Sequence, residues 1–275
     1  MEEKIDWNLK FFKDVLGLES LHFGYWQHGQ KLTLEEFKVA QKNYTNLLIS
    51  KIPLEVKTIL DVGCGTGEIA GELVERGFQV ECISPDSYQH SLFIQKHINA
   101  KFYLTKFEDF VADKKYDLIL MAESCQYIPL DKMFKKLEEV LSPDGYLLVS
   151  DYFRKENLAY YKTTHLLKNF YSFAIKHKFK IIYDEDITDN VIPTLTLAKM
   201  LYLRYALPLL EILTGYFSER FPVLSKILSL ILHSLIKKVR HYVYDHMLNK
   251  LDEEKFKKSV TYRIILLKKE NQIHN

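Results

Sequence analysis

Between residues 58 and 151, short β-rich runs alternate with helix-length segments, and this alternation constrains the fold more than any other feature of the chain. The pattern predicts strands at Thr58–Val62, Gln79–Ile83, Lys101–Leu104, Asp117–Met121 and Gly145–Asp151. Helices are expected over 67–76, 86–98 and 131–141, with a turn and a short helix after residue 104. Strands separated by whole helices form βαβ units and therefore a parallel sheet. "SPDG" (142–145) reads as a turn before the fifth strand. A helix over 158–178, a strand over 179–188 and a strongly strand-like run over 259–270 follow. Ahead of the alternation, residues 2–16 have amphipathic helical spacing, and 21–30 read as an aromatic, Gly-containing loop. Residues 33–52 form a second helix, opened by Thr33 with Glu36 three positions on, a capping-box signature.

The first strand ends in Asp61 and runs into "VGCGTG", with Gly63, Gly65 and Gly67, then into a helix. Glycines tolerate positive φ and let a ligand approach bare backbone. The helix behind them offers free N–H groups and the positive end of its dipole. A dinucleotide fingerprint has G-x-G-x-x-G followed by an acid about 20 residues later. Here the spacing is G-x-G-x-G, the acid comes first, and position 68 is Glu. That pattern argues against a nicotinamide dinucleotide.

"ILDVGCGTGEIA" (59–70) resembles motif I of the class I S-adenosylmethionine-dependent methyltransferases. "VECISPD", "YDLILMAESCQYIP" and "LEEVLSPDGYLLVSDYF" resemble that family's later segments, in the same order. "LHFGYW" is similar to a subgroup containing cyclopropane-fatty-acid synthases and sterol and tocopherol methyltransferases. The resemblance covers roughly residues 20–155, with 259–270 as the antiparallel seventh strand. It implies a doubly wound, seven-stranded, mostly parallel α/β sheet with a Rossmann-like fold, N-terminal helices and a helical insertion before the last strand. The expected organisation is a helical cap over 1–52, a cofactor-binding core over 53–190 and 258–270, and a helical lid over 191–257.

The resemblance implies S-adenosyl-L-methionine as cofactor, leaving as S-adenosyl-L-homocysteine. Asp61, Gly63, Gly65 and Gly67 would line its methionine and ribose part. Cys82, Ile83 and Ser84 stand where the family usually has a ribose-gripping acid. Phe107 and Glu108 match the adenine segment, and Ala122 and Glu123 match the loop beneath the cofactor. Tyr25 would meet the methionine part. Catalytic candidates are His22, Tyr25, Glu123 and Tyr127. Each has a structural alternative: Asp61 as a strand-end cap, Glu123 as a helix cap, and the aromatics as core. Asp151 and Tyr152 end the fifth strand at the same ligand edge.

Methyl transfer is an in-line displacement that demands placement and water exclusion more than a strong base. The expected function is methylation, at oxygen or carbon, of a small lipophilic acceptor. The alternatives are a cyclopropane-forming or C-methylating lipid enzyme at a membrane surface, and a binding protein of the same fold without transfer activity. The lipophilic expectation rests on 13% aromatic content and on the apolar insertion. "KKVRHY" (237–242), beside that insertion, could rest on an anionic bilayer. A net charge of +2 leaves no nucleic-acid footprint. Three cysteines at wide spacing argue against a disulfide framework or a zinc site, and no metal is expected. The charged N-terminus lacks a secretory pattern, and no apolar run reaches membrane-spanning length, so a cytoplasmic protein is expected.

Overall fold

A computed structural model describes residues 5–156, 164–231, 234, 237–238, 242 and 247–270. Seven strands form one sheet in the order β3-β2-β1-β4-β5-β7-β6. They are β1 Thr58–Val62, β2 Gln79–Ser84, β3 Lys101–Leu104, β4 Tyr116–Ala122, β5 Leu141–Arg154, β6 Phe179–Asp186 and β7 Val260–Lys269. β1 pairs in parallel with both β2 and β4, while β7 runs antiparallel to both β5 and β6. The chain order reverses between β1 and β4, which leaves a crevice at their carboxyl ends.

Strands covered on both faces read as continuous apolar runs, and alternate residues supply opposite cores. Ile59, Cys82, Leu118, Leu120 and Leu148 join one core, beneath α2 (Leu34–Ser50), α3 (Glu68–Glu75) and α7 (Thr188–Leu201). Leu60, Ile83, Ile119, Leu147 and Val149 join the other, beneath α5 (Leu130–Val140) and α6 (Leu167–Lys176). The remaining early helices are α1 (Trp7–Asp14) and α4 (Ser87–Gln95). Thr33 caps α2 as its spacing predicted, accepting a hydrogen bond from the Glu36 N–H at 3.2 Å.

Two local expectations change. "SPDG" does not precede β5 as a separate turn. It bulges within the strand, so that Leu141 pairs with Tyr116 and Tyr146 with Leu118. Asp144 takes φ +61° there, a conformation that Asp tolerates better than most residues. The helix expected from residue 158 begins at Leu167; residues 157–163 lie outside the described residues. Within the insertion, a π-turn at Tyr202–Ala206 joins α7 to α8 (Leu207–Arg220), which carries Pro208 in its first turn. Proline lacks the N–H of a regular α-turn and its ring crowds the carbonyl four residues back, and the wider turn accommodates both.

The loop after α1 is tied down at both ends. The Tyr25 N–H donates to Ala40 O at 2.8 Å, and the Trp26 N–H donates to Asn190 O at 2.9 Å. Thr194 Oγ1 accepts from the Gly24 N–H at 3.2 Å and from Trp26 Nε1 at 2.9 Å. Trp26 stacks on Phe37 in a small third core with Leu18, Ala40 and Leu197. Thr194→Val would leave both donors buried without an acceptor. The variant is expected to be less stable by about 2–3 kcal/mol in urea unfolding.

Candidate functional site

A cavity of about 550 Å³ opens at the carboxyl ends of β1, β2 and β4. Its floor is the β1–α3 turn. Gly63, Gly65 and Gly67 all take positive φ, at +78°, +58° and +83°. They do different work. A Cβ on Gly63 would lie 2.3 Å from Ser124 Cβ, and one on Gly67 would lie 2.4 Å from Phe93 Cδ2. Those two glycines permit close packing of the turn against neighbouring elements. A Cβ on Gly65 would meet nothing within 4 Å, and this residue presents bare backbone to the cavity.

The lining is strongly acidic. Glu19, Asp61, Glu68, Asp86, Glu108 and Glu123 face Lys106 as the single Lys or Arg among the lining residues. Asp61 is 1% exposed and its Oδ2 has no hydrogen-bond partner; burial pushes its carboxyl up to about 7. Glu68 Oε2 and His22 Nε2 are likewise buried without a hydrogen-bond partner, 3.9 Å apart. His22 Nδ1 lies 2.8 Å from Phe23 O, which can only accept, so Nδ1 carries a proton. Buried polar atoms are ordinarily satisfied. Three unsatisfied ones around a single cavity mark it as built for a polar ligand. Glu19 is paired with Lys96 at 3.2 Å, and the five remaining carboxyl groups against one lysine favour a ligand that brings positive charge and disfavour a phosphate. Glu68 stands in the first turn of α3, where a phosphate-binding helix would offer only its N–H groups.

Glu123 follows β4 with φ +56°, an uncommon conformation for a residue with a side chain. Its Oε1 accepts from the Phe23 N–H at 2.7 Å and from the Tyr262 hydroxyl at 2.7 Å. Tyr44 OH stands 3.1 Å from Tyr262 OH and donates to Ser150 Oγ at 2.8 Å. Burial raises the Glu123 carboxyl above the usual range, opposed by the nearby His22 and by the two hydrogen bonds. Asp151 is buried and accepts from the Gln126 and Tyr152 N–H groups, which fixes the loop beyond β4.

Of the residues singled out in the sequence, His22, Asp61, Gly63, Gly65, Ile83, Ser84, Phe107, Glu108, Ala122, Glu123 and Tyr127 line the cavity. Tyr127 is 72% exposed and stands at the mouth. Tyr25, Gly67 and Cys82 do not line it. Tyr25 packs against the core beside α2, and its neighbour Phe23 occupies the cavity wall. Cys82 is fully buried, paired in register with Asp61 one strand away. The insertion 191–257, expected as a lid, contributes no described residue to the lining. The strap 19–23 closes that side, held where Thr66 Oγ1 donates to Glu19 O at 2.9 Å. Sequence reasoning passed over Phe23, Glu68 and Gln126 as cavity residues, although all three lie within or beside the segments it quoted.

Known proteins share this fold. The ubiquinone biosynthesis O-methyltransferase of Rickettsia conorii is 24% identical over 163 residues, covering 48% of this chain and 56% of that protein. The chain spans about half the length of the curated relatives it matches. The crystal structure of geranyl diphosphate C-methyltransferase from Streptomyces coelicolor, in complex with S-adenosyl-L-homocysteine, superposes with a TM-score of 0.67 at 13% identity, over 94% of this chain and 91% of that one. A cyclopropane synthase from Mycobacterium tuberculosis superposes with a TM-score of 0.66 at 15% identity, over 96% of this chain and 94% of that one. At such identities these two structures establish a common fold. A family described as "Methyltransferase domain" matches residues 34–186, more than half of the chain. That match takes in the glycine turn, Asp61 and Glu123, and this chain belongs to the methyltransferase domain family.

Proposed function

We propose that this protein transfers a methyl group from S-adenosyl-L-methionine to a small, lipophilic acceptor. The observation that carries the reading is the acidic cavity with three unsatisfied polar atoms over a bare glycine turn. S-adenosyl-L-methionine brings a sulfonium and an ammonium, and no phosphate. Asp61 and Glu68 would hold its cationic part above Gly65. Ser84 and Asp86, in the lining at the end of β2, would meet the ribose hydroxyls, and Phe107 and Glu108 would meet the base.

The bound sulfonium supplies an electrophilic methyl group. The chain's own contribution would be placement and dryness, with the strap 19–23 covering one side of the cavity and Glu123 presenting a buried carboxylate. With a hydroxyl acceptor, Glu123 would take the proton, its carboxyl already shifted toward the range where a base works best. With an alkene acceptor, the same carboxylate and the aromatic faces of Phe23 and Tyr152 would stabilise the developing cation. The ring centroids of Phe23 and Tyr152, both of which line the cavity, lie 6.3 Å apart, and this aromatic wall favours the C-methylating reading as the second choice. The names of the relatives, which refer to ubiquinone biosynthesis and geranyl diphosphate, support a lipophilic acceptor class.

Calorimetric titration with S-adenosyl-L-homocysteine and, in parallel, with NAD tests the reading. Micromolar binding of the first alone supports it, and binding of neither moves a fold without transfer activity to the front. Glu123→Gln is expected to lower kcat by about 100-fold or more while leaving S-adenosyl-L-homocysteine affinity within a few-fold. Equal losses in both would place Glu123 in cofactor binding instead.

A further inference from the structure

The helices beyond the π-turn carry a feature that the cavity does not use. Every residue from Leu209 to Arg220 is exposed, so α8 shows solvent its full circumference. A helix so exposed should be polar all round. α8 instead presents Leu209, Leu210, Ile212, Leu213, Tyr216 and Phe217, with Ile212 67% and Tyr216 65% exposed. α9 (Pro222–Ile231) adds exposed Val223, Leu224 and Ile227, Val223 being 71% exposed. The two helices are joined by contact of Phe217 and Phe221, whose ring centroids are 5.4 Å apart, and by Ser218 Oγ and Ser225 Oγ at 3.2 Å. Thr214 Oγ1 donates back to Leu210 O at 2.8 Å, a hydroxyl satisfied within its own helix.

Apart from Arg220 at its last position, the polar residues of α8 form one stripe. Glu211, Thr214, Gly215, Ser218 and Glu219 recur at helical spacing and leave the rest of the surface apolar. An exposed apolar surface of this extent marks an interaction site. Charge indicates which kind. From Phe221 to Tyr244 the sequence contains no Asp or Glu, but it contains Lys226, Lys237, Lys238 and Arg240. Lys226, Lys237 and Lys238 are exposed; Val239, Arg240 and His241 lie outside the described residues. Among the described residues, no helix is long and apolar enough to cross a membrane. Apolar and aromatic side chains, flanking lysines and the absence of acids across the second helix are the pattern of a helix lying in the plane of an anionic bilayer.

We propose that α8 and α9 form a docking surface for an anionic lipid bilayer. α8 and α9 bury Leu209, Ile212, Tyr216, Val223 and Ile227 at the headgroup boundary, while the lysines pair with lipid phosphates. The surface does not depend on the methyl-transfer reading, and its test needs no activity.

The experiment is cosedimentation of the full chain with extruded vesicles, of phosphatidylcholine alone or of phosphatidylcholine mixed with phosphatidylglycerol. Binding is expected to be at least about tenfold tighter to the anionic vesicles and to weaken with salt. Lys237→Glu with Lys238→Glu should weaken binding about tenfold or more, and Ile212→Glu with Val223→Glu should abolish it. All four positions are exposed, so circular dichroism of the variants should match that of the unaltered chain. Absence of binding to both vesicle types overturns the proposal. So does sedimentation as a dimer that Ile212→Glu with Val223→Glu dissociates, because the surface would then join two copies of this chain. Binding that ignores lipid charge and the lysine substitutions also overturns it.

Discussion

Gly63→Ala is expected to cripple folding, whereas Gly65→Ala is expected to leave a folded protein that no longer holds its ligand. The two glycines are two residues apart in one turn, both at positive φ. At position 63 the new methyl group would lie 2.3 Å from Ser124 Cβ, and Ser124 cannot retreat freely because its Oγ donates to Val62 O at 2.5 Å. Backbone strain and overpacking add, for a loss of about 3–5 kcal/mol and a melting temperature lower by about 10 °C. At position 65 the methyl group meets no protein atom, so only the positive φ counts, about 1 kcal/mol. The methyl group would instead project into the cavity, and S-adenosyl-L-homocysteine affinity should fall about 100-fold or more. Thermal unfolding and calorimetry on the two variants separate these effects. Retained affinity in Gly65→Ala would mean that the ligand does not approach this backbone.

Asp61 is expected to make ligand affinity depend on pH. Burial alone raises its carboxyl to about 7, well above its ordinary value, because the charged form has no partner. A cationic ligand supplies one, and binding then requires that the proton leave. Affinity should therefore rise with pH up to about 7 and level off above it, falling about tenfold for each unit below. In the unliganded protein the same shift has the opposite consequence. Between about pH 4 and 7 the folded state binds a proton that the unfolded state has released, so this residue makes stability fall as pH rises through that window. Ligand should reverse that loss. Asp61→Asn is expected to bind S-adenosyl-L-homocysteine about 100-fold more weakly, with a flat pH profile between 5 and 7, and to be more stable than the unaltered chain at pH 8 when unliganded. A pH-independent affinity in the unaltered chain would remove Asp61 from the ligand's contacts.

The alternation of strands and helices was legible in the sequence because its cause is local. Residues two apart along Leu60, Val62 and residues three or four apart along α5 face one core, and that spacing is visible in the sequence alone. Thr58–Val62 and Lys101–Leu104 fall where the sequence pattern placed them, and the capped start of α2 follows from Thr33, while the Glu36 carboxylate accepts from Gln30 Nε2 instead of closing a capping box. The glycine turn was legible for the same reason, since positive φ in sequence strongly selects glycine.

Other features were decided at long range. Phe23 rather than Tyr25 reaches the cavity because the Phe23 N–H is captured by Glu123, 100 residues away, while Tyr25 is pinned to Ala40. The acidity of the cavity comes from six carboxylates on segments between Glu19 and Glu123 that meet only when the sheet is assembled. The insertion's apolar spacing predicted a lid, yet α8 from Leu209 to Arg220 stays exposed. Periodicity along one segment records which faces are apolar, and that much the sequence determined by itself. What each face meets depends on hydrogen bonds and packing between residues far apart in the chain, and only the tertiary structure decided it.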